Sequence, residues 1–205
     1  TLYVSGLNKL ETLTCFSNNL ATLSLIGCTS MKNLDCSVNP KLSTADFPRS
    51  LTSLNCSSCN FTQIETTKLP LLNNLTCDGN QIGTLNLTAQ TKLTAINCGN
   101  NKIEQLDFSN CTSLLDVVIA GNPISGGIGF KNCNNLRYVS VNNTKLDACA
   151  LNAMYRSLRE KRPEDDESDL NGILLYNNVP GAAKVSNTQI ATDKGWMVSV
   201  VGDGT

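Results

Sequence analysis

One frame, L-x-x-L-x-C-x-x-N-x-L, recurs seven times in this chain, and it leaves few folds open. Its copies begin at Leu10, Met31, Leu51, Leu72, Leu93, Leu114 and Leu136, in steps of 21, 20, 21, 21, 21 and 22 residues. A unit of this length cannot bury its apolar edge alone; stacked copies fuse their edges into one continuous core. Within each copy Leu13/Cys15, Leu34/Cys36, Leu54/Cys56, Leu75/Cys77, Ile96/Cys98, Val117/Ile119 and Val139/Val141 alternate with other residues. That is the period-2 pattern of a short strand with one face inward. Strands of successive coils then pair in parallel, and at a spacing of about 4.8 Å the repeats make a sheet roughly 30 Å wide. A weaker half-unit lies between copies, at Leu23-x-Leu25, Leu85-x-Leu87, Leu106-x-Phe108 and Ile128-x-Phe130. Leu2-x-Val4 stands 21 residues before Leu23, so the chain starts inside a coil, and a signal or anchor segment is expected to have preceded it.

The repeat explains the composition. Leucine (28) and asparagine (26) make up about a quarter of the 205 residues because each coil reuses them. Asn18, Asn39, Asn80, Asn101 and Asn122 fall three places after the inward Cys or Ile, where the chain leaves the strand. A carboxamide there can satisfy backbone groups freed at the turn, coil after coil, as a structural ladder. Cys15, Cys36, Cys56, Cys77 and Cys98 form a second, inward-facing ladder, and Cys28, Cys111 and Cys133 recur in the half-unit. Three readings compete for these thiols. Free cysteine packs as a small, soft hydrophobe, the reading favoured here. Disulfides one coil apart need Cβ atoms about 3.5 to 4.5 Å apart, closer than in-register strands place them. A metal site at Cys56-Ser-Ser-Cys59 has only two ligands and no histidine or second pair to complete it.

The same arithmetic narrows function. There is no histidine, which removes the commonest general base and metal ligand. Sixteen basic against seventeen acidic residues argue against nucleic acid, whose binders cluster Lys and Arg. No apolar run is long enough to span a membrane. No G-x-S-x-G, phosphate-binding loop or zinc motif appears, and Asp35, Asp78 and Asp116 sit on separate coils, so neither a catalytic site nor a cofactor is expected.

With cysteine in the strand and a 21-residue period, the frame resembles the cysteine-ladder leucine-rich repeats of internalin J-like bacterial surface adhesins. It is also similar to the secreted or lipid-anchored leucine-rich repeat proteins of gut Bacteroidetes. The match covers about residues 2 to 146; Cys59 and Thr144 at the asparagine position, and the loss of cysteine after Cys98, depart from it. The resemblance implies an α/β fold: a curved right-handed superhelix with its parallel β-sheet on the concave face. It implies an extracellular or cell-surface location, and a role in adhesion or recognition. The partner implied is a protein or a glycan, and the chain is expected to be a monomer.

After Leu146 the period changes, which divides the chain into a repeat array, 1–146, and a C-terminal α-β-α-β cap, 147–205. Leu151, Met154, Tyr155 and Leu158 have helical spacing. Arg159 to Asp169 reads as a solvated charged loop rather than a calcium site. Gly172 to Tyr176 reads as a strand, Asn177 to Gly181 as a turn, and Ser186 or Asn187 as the cap of a helix ended by Gly195 before the strand Trp196 to Val201. Two crossovers would carry the parallel sheet onward and cover the last coil, with Tyr155, Tyr176 and Trp196 as core aromatics.

Any ligand would meet the outward strand positions. They are Thr12, Asn33, Ser53, Asn74, Ala95, Asp116 and Tyr138; then Thr14, Asp35, Asn55, Thr76, Asn97, Val118 and Ser140; then Phe16, Ser37, Ser57, Asp78, Gly99, Ala120 and Asn142. Of these, Thr14, Phe16, Asp35, Ser37, Asn55, Thr76, Asp78, Asn97, Asp116, Val118, Tyr138 and Ser140 are the candidates for binding. The surface is small, polar and mildly acidic. It suits a recognition face, or the plain exterior of a spacer that displays another domain.

Overall fold

The computed structural model describes residues 1–162, 165, 172–175 and 182–200. Each copy of the frame forms one three-residue strand. After β1 (Leu2–Tyr3) these are β2 (Thr12–Thr14), then, past β3 (Leu23–Ser24), β4 (Asn33–Asp35), β5 (Ser53–Asn55), β6 (Asn74–Thr76), β7 (Ala95–Asn97), β8 (Asp116–Val118) and β9 (Tyr138–Ser140). They pair in parallel, in sequence order and in repeat register: Leu13, Leu34, Leu54, Leu75, Ile96, Val117 and Val139 are successive partners. The architecture is therefore the parallel solenoid that the period predicts. On the opposite side β1 and β3 form a two-stranded parallel sheet from the half-unit. No described helix is long and apolar enough to cross a membrane.

The strands are short because the backbone reverses hand two residues after the inward Cys or its substitute. Ser17, Val38, Ser58, Gly79, Asn100, Gly121 and Asn143 all have positive φ, between 51° and 72°. One left-handed residue per coil ends pairing on the sheet side and starts the return. Inside the coil, the frame leucines from the second copy onward, the ladder cysteines and the half-unit residues Leu25, Leu87, Phe108 and Phe130 form one continuous buried cluster, with Leu10, Leu13 and Leu20 packed against it. Phe108 and Phe130 stack with ring centroids 5.3 Å apart. The second coil is irregular: its step is the 20-residue one, Pro40 stands in it, and residues 43–47 form no strand. Phe47 fills in by packing on Phe61, centroids 5.6 Å apart.

Beyond the seventh coil, α1 (Ala148–Ser157) buries Leu151, Met154 and Tyr155, and Asp147 caps it by accepting the Ala150 N–H at 2.8 Å. β10 (Gly172–Leu175) pairs with β9, and β11 (Met197–Val200) pairs with β10, both parallel, so the main sheet has nine strands among the described residues. Two details differ from the sequence reading. Between β10 and β11 lie two short helices, α2 (Ala182–Val185) and α3 (Gln189–Thr192), where one was expected. Thr188 holds the α3 cap position without a side-chain bond, and Asn187 Oδ1 instead accepts the Gln189 N–H at 3.2 Å. In the charged run, Arg159 and Asp165 are not solvated: they pair at 2.6 Å with side chains only 7% and 5% exposed. The Arg159 guanidinium and the Arg162 N–H hold the Asp165 carboxyl down at about 2. Tyr176, the 177–181 turn, Val201 and most of the acidic run lie outside the described residues. Tyr155 and Trp196 are buried.

Candidate recognition face

The inward side of each coil is spent on packing and on closing the turn. Asn39 donates from Nδ2 to the carbonyls of Cys15 (3.1 Å), Cys36 (2.9 Å) and Ser37 (3.2 Å), while its Oδ1 accepts the Leu20 N–H at 3.0 Å. Asn80, Asn101 and Asn122 repeat the arrangement on Cys56/Cys77, Cys77/Cys98 and Cys98/Ile119. Their Oδ1 atoms accept from Phe61, Ile82 and Ile103. Each amide thus bolts two coils together. Asn18 donates to the Cys15 and Phe16 carbonyls within its own coil.

The two departures from the frame keep part of this function. Cys59 donates its thiol to the Cys36 carbonyl at 3.3 Å, and Thr144 donates its hydroxyl to Val141 at 2.9 Å. Cys59 lacks the amide's strong acceptor, and the residue nineteen places earlier, whose N–H the other coils present, is here Pro40, which has none. On the far side of the coil Cys28 and Gln90 donate to the carbonyls of Val4 (3.2 Å) and Thr66 (2.8 Å), and Cys111 and Cys133 reach towards Leu87 and Phe108 more loosely. The half-unit cysteines therefore close coils as well as fill space. All ten cysteines are free thiols, nine of them buried, with Cys149 exposed. Burial pushes the ladder thiols up, Cys98 to about 12. Among the described residues no group of three Cys, Asp or Glu side chains is placed to hold a metal ion.

The outward face divides by duty. Asp35 Oδ1 accepts the Ser37 N–H (3.0 Å) and hydroxyl (2.6 Å), Asn55 Oδ1 accepts those of Ser57 (3.2 and 2.8 Å), and Asn97 Oδ1 accepts the Gly99 N–H (3.1 Å). These turns end the strands, a role the sequence signals as D/N-C-S and D/N-C-G and the strand reading passed over. Ser37 and Ser140, candidates from the sequence, are buried at 5% and 4% exposure. Thr14, Phe16 and Asp116 are exposed; Thr76, Asp78, Val118 and Tyr138 are half-buried. Asn97 Nδ2 crosses one coil to donate to Asp78 Oδ1 at 3.2 Å. Burial pushes the Asp78 carboxyl up; it does the same at Asp116, where nearby Arg137 works the other way. Away from this face a groove of about 660 Å³ runs beside β3, lined by Tyr3, Leu23, Asp46, Phe47, Gln63 and Glu65 among others, and takes in none of the candidates.

No protein-family model and no curated protein matches the sequence. Solved structures do match the fold. The chain is similar to the functional domain of InlJ from Listeria monocytogenes, which includes a cysteine ladder, at 20% identity and a TM-score of 0.59, over 98% of this chain and 52% of that one. It is similar to the leucine-rich repeat domain of a Shigella effector at 18% identity and a TM-score of 0.67, over 95% and 83% of the two chains. A third likeness is to the internalin InlF of L. monocytogenes, at 17% identity and a TM-score of 0.52, over 84% and 49%. This chain spans about half the length of the two Listeria chains. At these identities the likeness shows the fold, and the fold is the leucine-rich repeat solenoid of bacterial proteins.

Proposed function

We propose that this chain is a noncatalytic recognition module that binds a partner protein or glycan on the outer face of its main sheet, outside the cell or at its surface. One observation carries the reading: the polar groups that recur at the turns and in the core are used up in holding the coils, and the side chains left without such a duty include a set on this face. The asparagines close coils, Asp35, Asn55 and Asn97 end strands, and the thiols are packed away. Thr14, Phe16, Thr76, Asp116, Val118 and Tyr138 carry no such duty and lie along the one sheet, on or beside β2, β6, β8 and β9. Likeness to internalins supports the location and the binding role. Residues 1–146 then act as the binding array, and 147–205 as the cap that protects its last coil.

Site-specific photocrosslinking tests this. A photoreactive residue placed at Thr14, Thr76 or Val118 should capture partners that probes at Asn86 and Asp107, on the opposite side of the coil, do not. A combined Phe16, Asp78 and Tyr138 alanine variant should lose that capture. Equal labelling from both sides, or none from either, would favour a spacer.

A further inference from the structure

We infer that the occupant of the sheet face is a cationic polypeptide segment that seats an apolar side chain on Phe16 and Val38 and runs its basic groups along Asp35, Asp78 and Asp116. This rests on the reading of the sheet face as the binding surface. Phe16 and Val38 are the large apolar exceptions at their places in the repeat. The other coils put Ser37, Ser57, Asp78, Gly99, Ala120 or Asn142 where Phe16 stands, and Ser, Gly or Asn where Val38 stands. The two belong to adjacent coils, one register step apart, since Cys15 and Ser17 donate to the carbonyls of Asp35 and Ser37. They are 50% and 46% exposed, so the core gains little from them.

Val38 also holds φ at 54°, a conformation that suits glycine and asparagine and is a steric outlier for a β-branched side chain. An exposed apolar residue kept in a disfavoured backbone conformation is accounted for by contact with something outside the fold. Charge says what else that partner carries. The outward strand positions include three aspartates and none of the chain's 16 basic residues. The chain's net charge is −1, so everything off this face is positive by two. The nearest cations enter from the strand starts: Lys32 is paired with Glu11 at 3.0 Å, and Arg137 stands beside Asp116.

A neutral glycan answers the apolar pair but not the acids, whereas a polypeptide supplies both kinds of group on one strand. From Phe16 to Asp78 is three coils, about 14 Å, which an extended peptide covers in roughly four residues. Asp78 is half-buried, which strengthens pairing of its carboxylate with an incoming cation.

The probe is a peptide of about twelve residues alternating leucine and lysine, long enough to cross the sheet. Its controls are a leucine–glutamate and a glycine–lysine peptide, all measured by fluorescence anisotropy at low and high salt. The leucine–lysine peptide should bind, weaken with salt, and exceed both controls by about tenfold or more. Phe16→Ser with Val38→Asn should cost it about tenfold, as should Asp35→Asn with Asp78→Asn and Asp116→Asn, while Glu104→Gln with Asp107→Asn leaves it unchanged. Asn at position 38 suits the backbone there, so misfolding does not explain the loss; a thermal melt of each variant confirms it. Equal binding of the acidic peptide, no binding of any peptide, or full binding by both face variants overturns the inference. Partner crosslinking at Thr76 separates the two readings: face capture together with such a result leaves the binding face standing and removes only the cationic occupant.

Discussion

Val38 shows how far one residue can depart from its repeat. Six coils make their left-handed turn with Ser, Gly or Asn, and the second makes it with a β-branched residue at φ 54°. Val38→Asn should therefore stabilise the protein by about 1 kcal/mol, seen as a higher denaturation midpoint in urea. The asparagine ladder gives the opposite test. Asn80 is buried and bonds two coils, so Asn80→Ala strands two carbonyls and an N–H and should cost about 1 to 3 kcal/mol. Asn18 is exposed and bonds its own coil, so Asn18→Ala should cost about 0.5 kcal/mol or less. Equal losses at the two positions would refute the inter-coil assignment. Much of this is legible in the sequence, because a period forces equivalent residues into equivalent places. The turn bonds of Asp35, Asn55 and Asn97 are not seen when a strand is read only as inward and outward positions, although D/N-C-S announces them. Nor does the period give the exposure of Cys149, which lies past the last copy. A thiol reagent should modify one cysteine quickly in the native protein and ten after unfolding.

Between α1 and β11 the periodic logic gives way to particular contacts. Lys194 Nζ donates to the carbonyls of Arg156 (2.7 Å) and Leu158 (2.6 Å), which closes the end of α1 and interacts well with its dipole. Gly195 follows at φ 83°, and a Cβ there would come within 2.6 Å of Lys161 Cβ. Trp196 then turns in and donates its indole N–H to the Arg159 carbonyl at 2.9 Å. Gly195→Ala cannot meet both the backbone and the steric demand. It should cost about 1 to 3 kcal/mol and red-shift the emission of the chain's one tryptophan at denaturant levels where the native protein is unaffected. Unshifted emission would mean the turn is slack. The sequence shows Gly195 as a helix stop but not the charge pair beneath it. Arg159 and Asp165 look like a solvated run because burial of an ion pair depends on partners distant in sequence, here the Leu136 carbonyl that accepts from Arg159 Nε at 2.9 Å. The same dependence explains why α2 and α3 were not separable: each is four residues, too short for a helical period to register.

At the scale of the whole solenoid, the cysteine ladders make stability depend on alkaline pH. Burial raises the thiols of Cys15, Cys36, Cys56, Cys77 and Cys98 above their ordinary value, and likewise Cys59, Cys111 and Cys133, with Cys98 and Cys111 near 12 and Cys133 near 11. In the unfolded chain these groups ionise near pH 9. A group whose folded value is raised contributes stability that is complete below the unfolded value and is lost as pH climbs towards the folded one. Across that window the unfolded state sheds protons that the native state keeps, and each such thiol removes up to about 1.4 kcal/mol per pH unit. Because the coils share one core, the losses add into a single transition. The urea midpoint should be flat from pH 6 to 8, where the absence of histidine removes the usual titrating group, and should fall steeply between about pH 9 and pH 11. The sixth and seventh coils supply the control, since Ile119 and Val141 fill the ladder position without titrating and are fully buried. Cys77→Val and Cys98→Val, made together, should lessen that fall by the share of two thiols while leaving the neutral midpoint nearly unchanged. A midpoint that holds level past pH 10 in the parent chain would mean that the ladder thiols exchange protons without unfolding, and that the core is not the sealed column its packing describes.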